Sequence, residues 1–467
     1  MTRIVIIGGG PAGYESALVA AQLGADVTVV ERDGLGGACV LTDCVPSKTF
    51  IASSDARTAF ASAGSLGIDA VPTAEIGVDA PAVHSRVKEL ALAQSADVGR
   101  QLSRAGVQVT NGLARLTAGS SQRRHQVEIS NTGSGAVQTV DVDIVLLATG
   151  ATPRILSTAR PDGERILTWR QVFDLPALPE HLIVVGSGVT GAEFASAYLA
   201  LGVPVTLISS RDRVMPGEDS DATSLIEDVF RRRGMHILEQ ARAQAVRRTT
   251  DGVVVELSDG RMVDGSHALM AVGSVPNSGG LGLEDAGVAL GPGGFVTVDR
   301  VSRTNVPGIY AAGDVTGVLM LASVAAMQGR IAMWHALGEA VAPLQLQTVS
   351  ANVFTNPEIA TVGIGQTTVD SGLVPARTVK LPLATNARAK MQGITDGFVK
   401  LFCRPSSGLV IGGVVVAPRA SELILPIALA VENHLTVAQI AHTISIYPSL
   451  SGSLTETARQ LMKHEFD

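Results

Sequence analysis

An α/β fold built on two similar strand–turn–helix–strand units is predicted for this chain by two observations. The first is a pair of Gly-x-Gly-x-x-Gly turns, Gly8-Gly-Gly10-Pro-Ala-Gly13 and Gly186-Ser-Gly188-Val-Thr-Gly191, each following an apolar run of strand length and leading into one of helix length. The second is glycine itself, 50 of 467 residues, a share that suits a protein rich in tight βα turns. A chain of this length exceeds a single hydrophobic core, so roughly two to four domains are expected.

In chain order, Arg3 to Ile7 reads as a buried strand, Gly8 to Gly13 as the turn, Tyr14 to Leu23 as a helix and Ala25 to Val30 as a second strand that closes on Glu31. Gly8 permits the tight turn, Gly10 lets a pyrophosphate approach the backbone, and Gly13 lets the helix pack on the strand, with the phosphates at the helix N-terminus. Glu31, 18 residues beyond Gly13 (31 − 13), is placed to accept hydrogen bonds from a ribose diol. The same grammar returns in His181 to Val185, the turn Gly186 to Gly191, a helix from Ala192 to Leu201 and a strand from Pro204 to Ile208. Here the position matching Glu31 is Ser209, so the acid that disfavours a 2′-phosphate on the adenine ribose is missing. Ser210 and Arg211 stand where they can contact such a phosphate, although a solvated surface charge is the competing reading of Arg211. One dinucleotide is expected to bind through Glu31, and a second, exchangeable one, NADH or NADPH, at the Gly186 loop.

Hydrophobic residues are 46% and charged residues 17% of the chain, which argues against disorder. The net charge of -7 gives no basic footprint, so neither nucleic acid nor an anionic membrane is an expected partner. The opening apolar run is only a strand's length, and stretches such as Gly408 to Ala417 fall well short of the ~20 residues of a membrane helix, so no export, no membrane insertion and a cytoplasmic location are expected. Three cysteines are too few for a disulfide framework. The close pair Cys39 and Cys44 therefore reads as catalytic or metal-binding, and the absence of a histidine–cysteine cluster argues against metal. Cys403, in the apolar run Gly397 to Cys403, reads as a core thiol.

The segment Gly36-Gly-Ala-Cys39-Val-Leu-Thr-Asp-Cys44-Val-Pro-Ser-Lys48, set between two such nucleotide loops, resembles the pyridine nucleotide–disulfide oxidoreductase family, which includes lipoamide dehydrogenase and glutathione reductase. The likeness runs along nearly the whole chain: Ala148-Thr149-Gly150, Val272-Gly273-Ser-Val-Pro-Asn277, the run from Thr304 through Tyr310-Ala-Ala-Gly313-Asp314, Phe354-Thr-Asn-Pro-Glu358, Asn386-Ala-Arg388-Ala and Gly397-Phe-Val-Lys400. It implies an α/β protein with two Rossmann-like dinucleotide-binding domains and an α+β C-terminal dimerisation domain. The boundaries expected on this basis are 1–150 and 277–344 for the two parts of an FAD-binding domain, 151–276 for an NAD(P)-binding domain and 345–467 for the interface domain of a homodimer. Asp314 is then the residue that hydrogen-bonds the flavin's ribityl chain, and Thr149, Gly150, Gly273 and Gly313 line the cofactor sites. Ser274 departs from the family's usual arginine.

The resemblance also implies roles for the dithiol. Cys44 is expected to face the flavin as the charge-transfer sulfur, with Cys39 as the interchange sulfur. Lys48, one turn beyond Cys44, is expected near the flavin's reactive nitrogen, paired with Glu193. Thiol exchange needs a proton acceptor, a histidine in the family's His-Pro-x-x-x-Glu motif, and here the matching residues are Tyr447-Pro448-Ser449-Leu450-Ser451-Gly452. A phenol is only about 0.1% ionised at neutral pH, and general acid–base help is worth roughly 10²–10⁴-fold, so dithiol turnover is expected to be crippled. His442 and Glu456 lie nearby but off the motif positions, and Ser323 stands where lipoamide dehydrogenase commonly has histidine. The pattern is most similar to the actinobacterial branch of flavoprotein disulfide reductases that act as NAD(P)H quinone reductases. It points to electron transfer from NADH or NADPH to quinones, with Tyr447 as a hydrogen-bond donor or a packing residue. A lipoamide dehydrogenase-like activity through Cys39 and Cys44 is the alternative.

Overall fold

The computed structural model describes residues 1–69, 72, 75–121 and 124–462 and divides the chain into two compact units. The first comprises Met1–Thr49, His84–Arg154 and Gly273–Gln345; the second comprises Phe50–Val83, Ile155–Val272 and Leu346–Asp467.

In the first unit, β1 (Arg3–Ile7) lies between β2 (Asp26–Glu31) and the strand Ile144–Leu147, parallel to both. Four consecutive buried residues, Ile4 to Ile7, suit a strand covered on both faces. The seven-stranded sheet continues through Ile309–Ala311 at one edge and Gln108–Ser121 beyond β2, then through the antiparallel strands Arg124–Asn131 and Val137–Val142. The chain leaves β1 to one side and returns on the other, so the crevice where strand order reverses lies at the carboxyl ends of these parallel strands, where such sheets bind ligands.

The helix α1 (Pro11–Gln22) begins earlier than its apolar run suggests, because Pro11 sits in the first turn, where its missing N–H costs nothing. Its inward face is small, with Ala12, Gly13, Ser16, Ala17 and Ala20 buried. The helix Ala322–Ala336 brings Gly329 against Ala12, and a Cβ there would collide with the Ala12 carbonyl. Two short steps follow β2: α2 (Gly37–Leu41), which carries Cys39, and α3 (Cys44–Ser62), which Cys44 opens.

In the second unit, a five-stranded parallel sheet runs in the order His236–Leu238, Val205–Ile208, Leu182–Val185, His267–Met270, Ile166–Leu167, with the helix Val189–Ala200 leaving the central strand. The same unit contains a five-stranded antiparallel sheet made by Ser350–Val353, Glu358–Gly363, Val410–Ala417, Phe398–Cys403 and Arg377–Pro382. Cys403 is fully buried there. Among the described residues no helix is long and apolar enough to cross a membrane, and no group of three His, Cys, Asp or Glu could hold a metal ion.

Candidate functional site: two nucleotide loops and a dithiol

The two glycine turns are near copies in backbone geometry. Gly8 and Gly186 both have φ +107°, in the region that favours glycine. Their N–H groups donate to Val30 O at 2.8 Å and Ile208 O at 3.0 Å. A Cβ on Gly13 would collide with the Gly8 carbonyl, and one on Gly191 with the Gly186 carbonyl. Gly10 and Gly188 differ from these: their φ values of −70° and −69° are ordinary, and a Cβ would meet nothing closer than 4.0 Å at Gly10 and nothing within 4 Å at Gly188. Glycine at these two positions keeps the space above the helix N-terminus clear. Neither helix has a side-chain cap, so the first-turn N–H groups remain available to phosphate.

The Glu31 carboxylate accepts from the Gly9, Asp33 and Gly34 N–H groups at 2.6, 2.6 and 3.2 Å, so it braces the loop as well as standing beside it. In the second unit the equivalent Ser209 is buried: its hydroxyl bonds Ser187 Oγ at 2.7 Å and receives the Arg211 N–H at 3.2 Å. Ser210 and Arg211 are exposed at the end of that strand.

The first unit fits a bound FAD on a second ground. The Asp314 carboxyl follows Gly313 at the tip of the strand Ile309–Ala311, and burial, then the charge of Asp43, push its pKa up to about 6 with no hydrogen bond opposing them. A hydroxyl-bearing chain such as the flavin's ribityl group would supply a donor there. Gln328, buried in the helix Ala322–Ala336, fixes this tip by accepting the Gly313 N–H at 2.9 Å; nothing in the local sequence marks it for that task. Ser323 is exposed near the start of the same helix. Thr149 and Gly150 are held by Asn277: Thr149 Oγ1 donates to Asn277 O at 2.8 Å, Asn277 Nδ2 to Thr149 O at 2.9 Å, and the Asn277 N–H to Gly150 O at 3.0 Å. Gly273 accepts the Arg154 N–H at 2.9 Å, where the chain returns to this unit.

Cys39 and Cys44 are free, half-buried thiols joined by a hydrogen bond. That bond lowers the pKa of Cys39, while the proton left on Cys44 becomes far harder to remove, first through the same bond and then through burial and neighbouring negative charge. The first proton therefore leaves the pair more readily than the second, which is held far more tightly. Lys48 lowers both pKa values and Asp43 raises both. The Tyr14 phenol on α1 is pushed up by burial, then by Glu15 and Cys39, which places it within electrostatic reach of the dithiol. Sequence reasoning missed Tyr14 and Asp43, since each reads locally as a helix residue or a spacer.

In the second unit the Glu193 carboxylate is buried and accepts the Phe354 N–H at 2.9 Å. Tyr447 is 84% exposed, beside Ile444 and Ile446 at 98% and 81%. His442 is exposed at the end of the helix Val437–His442. Glu456 is held at about 2 by its bonds to Arg459 and Gln460, which makes it a poor proton acceptor.

The model of the family described as pyridine nucleotide-disulphide oxidoreductase matches residues 2–329, and that of its dimerisation domain matches residues 349–458. The chain is 59% identical over its full length to a Mycobacterium tuberculosis NAD(P)H dehydrogenase (quinone), covering 95% of that protein. It is 32% identical to a Zymomonas mobilis dihydrolipoyl dehydrogenase over 97% of this chain and 96% of that one. The crystal structure of LpdA from Mycobacterium tuberculosis superposes with a TM-score of 0.95 at 59% identity, covering 99% of this chain and 100% of that one. Together with the paired nucleotide loops and the dithiol, these matches show that the chain belongs to the pyridine nucleotide-disulphide oxidoreductase family.

Proposed function

We propose that the protein is an FAD-dependent oxidoreductase that moves two electrons from NADH or NADPH to quinones or similar small acceptors, working as a cytoplasmic homodimer. The observation that carries this reading is the exchange of the motif's histidine and glutamate for Tyr447 and Gly452, which removes the acid–base pair that disulfide exchange requires. The name of the 59% identical relative supports it. Bound FAD supplies the centre that accepts hydride from the nicotinamide and passes electrons on. The chain holds it through the Gly8–Gly13 loop, Glu31, Thr149, Gly150, Gly313 and Asp314, and holds the nicotinamide dinucleotide through Gly186, Gly188, Gly191, Ser210 and Arg211. Lys48 supplies the positive charge beside the dithiol. Ser209 puts no carboxylate against a 2′-phosphate, so both NADH and NADPH are accepted. The homodimer is supported by the dimerisation-domain match and by exposed apolar side chains in the second unit, Leu425, Leu429, Ile444 and Ile446. Free thiols suit the reducing cytoplasm.

A thiol–disulfide activity on lipoamide is the second reading, favoured by the intact, hydrogen-bonded Cys39–Cys44 pair. Steady-state NAD(P)H oxidation with menadione and with lipoamide at neutral pH separates the two. Quinone turnover is expected to exceed lipoamide turnover by about 100-fold or more, the size of a missing general base. Cys39→Ser is expected to abolish the residual lipoamide activity and retain most quinone reduction. Equal loss of both activities would refute the proposed route.

A further inference from the structure

Asp43 occupies the turn between the two cysteine-bearing helices and is pinned from both sides. Its N–H donates to Ala38 O at 2.8 Å, and its carbonyl accepts the Ser47 N–H at 2.8 Å as α3 begins. Cys39 follows Ala38 on α2, and Cys44 is the next residue after Asp43. The turn thus fixes the backbone of Asp43, a half-buried residue, next to both cysteines in the chain's path. The other charged and titratable groups facing the pair come from three directions. Lys48 on α3 favours thiolate, Asp314 opposes it at Cys39, and Tyr14 on α1 faces Cys39, with Glu15 beside it paired to Arg330 at 2.8 Å.

We propose that Asp43 is an electrostatic brake on the dithiol, a positioning charge that opposes thiolate on Cys39 and Cys44 and so keeps the pair slow in disulfide exchange. In that exchange a thiolate attacks an external disulfide, one S–S bond forms as another breaks, and the departing thiolate takes up a proton. Its rate follows the fraction of attacking sulfur that is ionised. Asp43 raises the pKa of both sulfurs, so the brake acts on whichever one attacks. This proposal rests on the functional reading above and supplies a second reason, beside the lost histidine, for slow thiol chemistry.

The test reads sulfur alone. Full-length, flavin-loaded protein is reduced with dithiothreitol and freed of it. Iodoacetamide alkylation is then followed from pH 5 to 10, with the modified cysteine assigned by peptide mass spectrometry. Asp43→Asn removes the charge while keeping the side-chain shape and a residue type equally suited to a helix start. It is expected to move the reactive thiol's midpoint to lower pH and to speed alkylation at pH 7 about three- to tenfold. Asp43→Glu, which retains the charge, is expected to stay within about twofold of the unmodified protein. Asp43→Ser, also uncharged and a good helix start, serves if the Asn variant does not fold. An unchanged or slower rate in the uncharged variant, or an equal acceleration in Asp43→Glu, overturns the proposal. Because the assay contains neither NAD(P)H nor an electron acceptor, its outcome is independent of whether the quinone reading holds.

Discussion

Replacing Gly191 with alanine will lower kcat/KM for NADH and NADPH by about 100-fold or more while the purified protein stays yellow. A Cβ at this position collides with the Gly186 carbonyl oxygen, lies 3.0 Å from its carbon and reaches 3.4 Å from the Ala271 Cβ. All three are parts of the packed strand–turn–helix joint, so the helix Val189–Ala200 must move to relieve the clash. A shift near ~1 Å at a site that positions a hydride donor costs about two orders of magnitude in rate. The first unit has its own complete loop, Gly8 to Gly13, so flavin should remain bound. Gly188→Ala separates packing from ligand contact. Its Cβ meets no protein atom within 4 Å, so thermal stability should hold, yet the methyl group occupies the space through which a pyrophosphate approaches, and KM should rise about tenfold. Stopped-flow reduction of the bound flavin by NAD(P)H, read with a thermal melt, checks both variants. Near-normal reduction in Gly191→Ala, or a colourless protein, would mean that the loop's geometry does not serve nucleotide binding as argued.

Features that depend on contacts within a few residues were readable from the sequence. Gly8, Gly13, Gly186 and Gly191 are forced by a turn that returns on itself, so spacing alone exposes them. Helix starts were placed late, at Tyr14 and Ala192 against the observed Pro11 and Val189, because apolar periodicity does not register a first turn made of proline, small residues and glycine caps. Residues that act through long-range contacts stayed hidden. Gln328 braces Gly313 from another element, and Tyr14 on α1 comes within electrostatic reach of Cys39 on α2 only through the fold. Asp43 read as a spacer, since its effect depends on the turn that holds it between two sulfurs. Ser209 was legible as a missing acid but not as a buried brace for the loop. At Tyr447 the change of chemistry is plain in the sequence, whereas its 84% exposure in the single chain emerges only from the fold.

Lys400→Met is expected to destabilise the second unit by about 3 kcal/mol, at the low end of the 3–5 kcal/mol typical when one partner of a buried ion pair is removed. Lys400 lies in a strand buried at every position, Phe398–Cys403, and its side chain and that of Asp219 are each only 2% exposed. Its ammonium donates to Asp219 at 2.9 Å and to Asp221 at 2.8 Å. The low end applies because Asp219 keeps other donors: it caps the helix Ser220–Arg232, accepting the Asp221 N–H at 3.0 Å and the Ala222 N–H at 3.3 Å. Adding Asp219→Ser to Lys400→Met removes the stranded charge and leaves a hydroxyl to cap the helix, so the double variant should recover most of the loss. Thermal melts of the holoenzyme should show the single variant about 5–10 °C below the unmodified protein and the double variant between them. A single variant that melts normally, or a double variant no better than the single one, would remove the ion pair from the account of stability. The pH dependence has a definite sign. Burial of Asp221 acts to raise its pKa but is outweighed by hydrogen bonds to Lys380 and Lys400, so the folded value is depressed. Its contribution is present above the unfolded carboxylate's value near ~4 and is lost as pH falls through the lower folded value. Lys400→Met should therefore also flatten the acid limb of the stability profile.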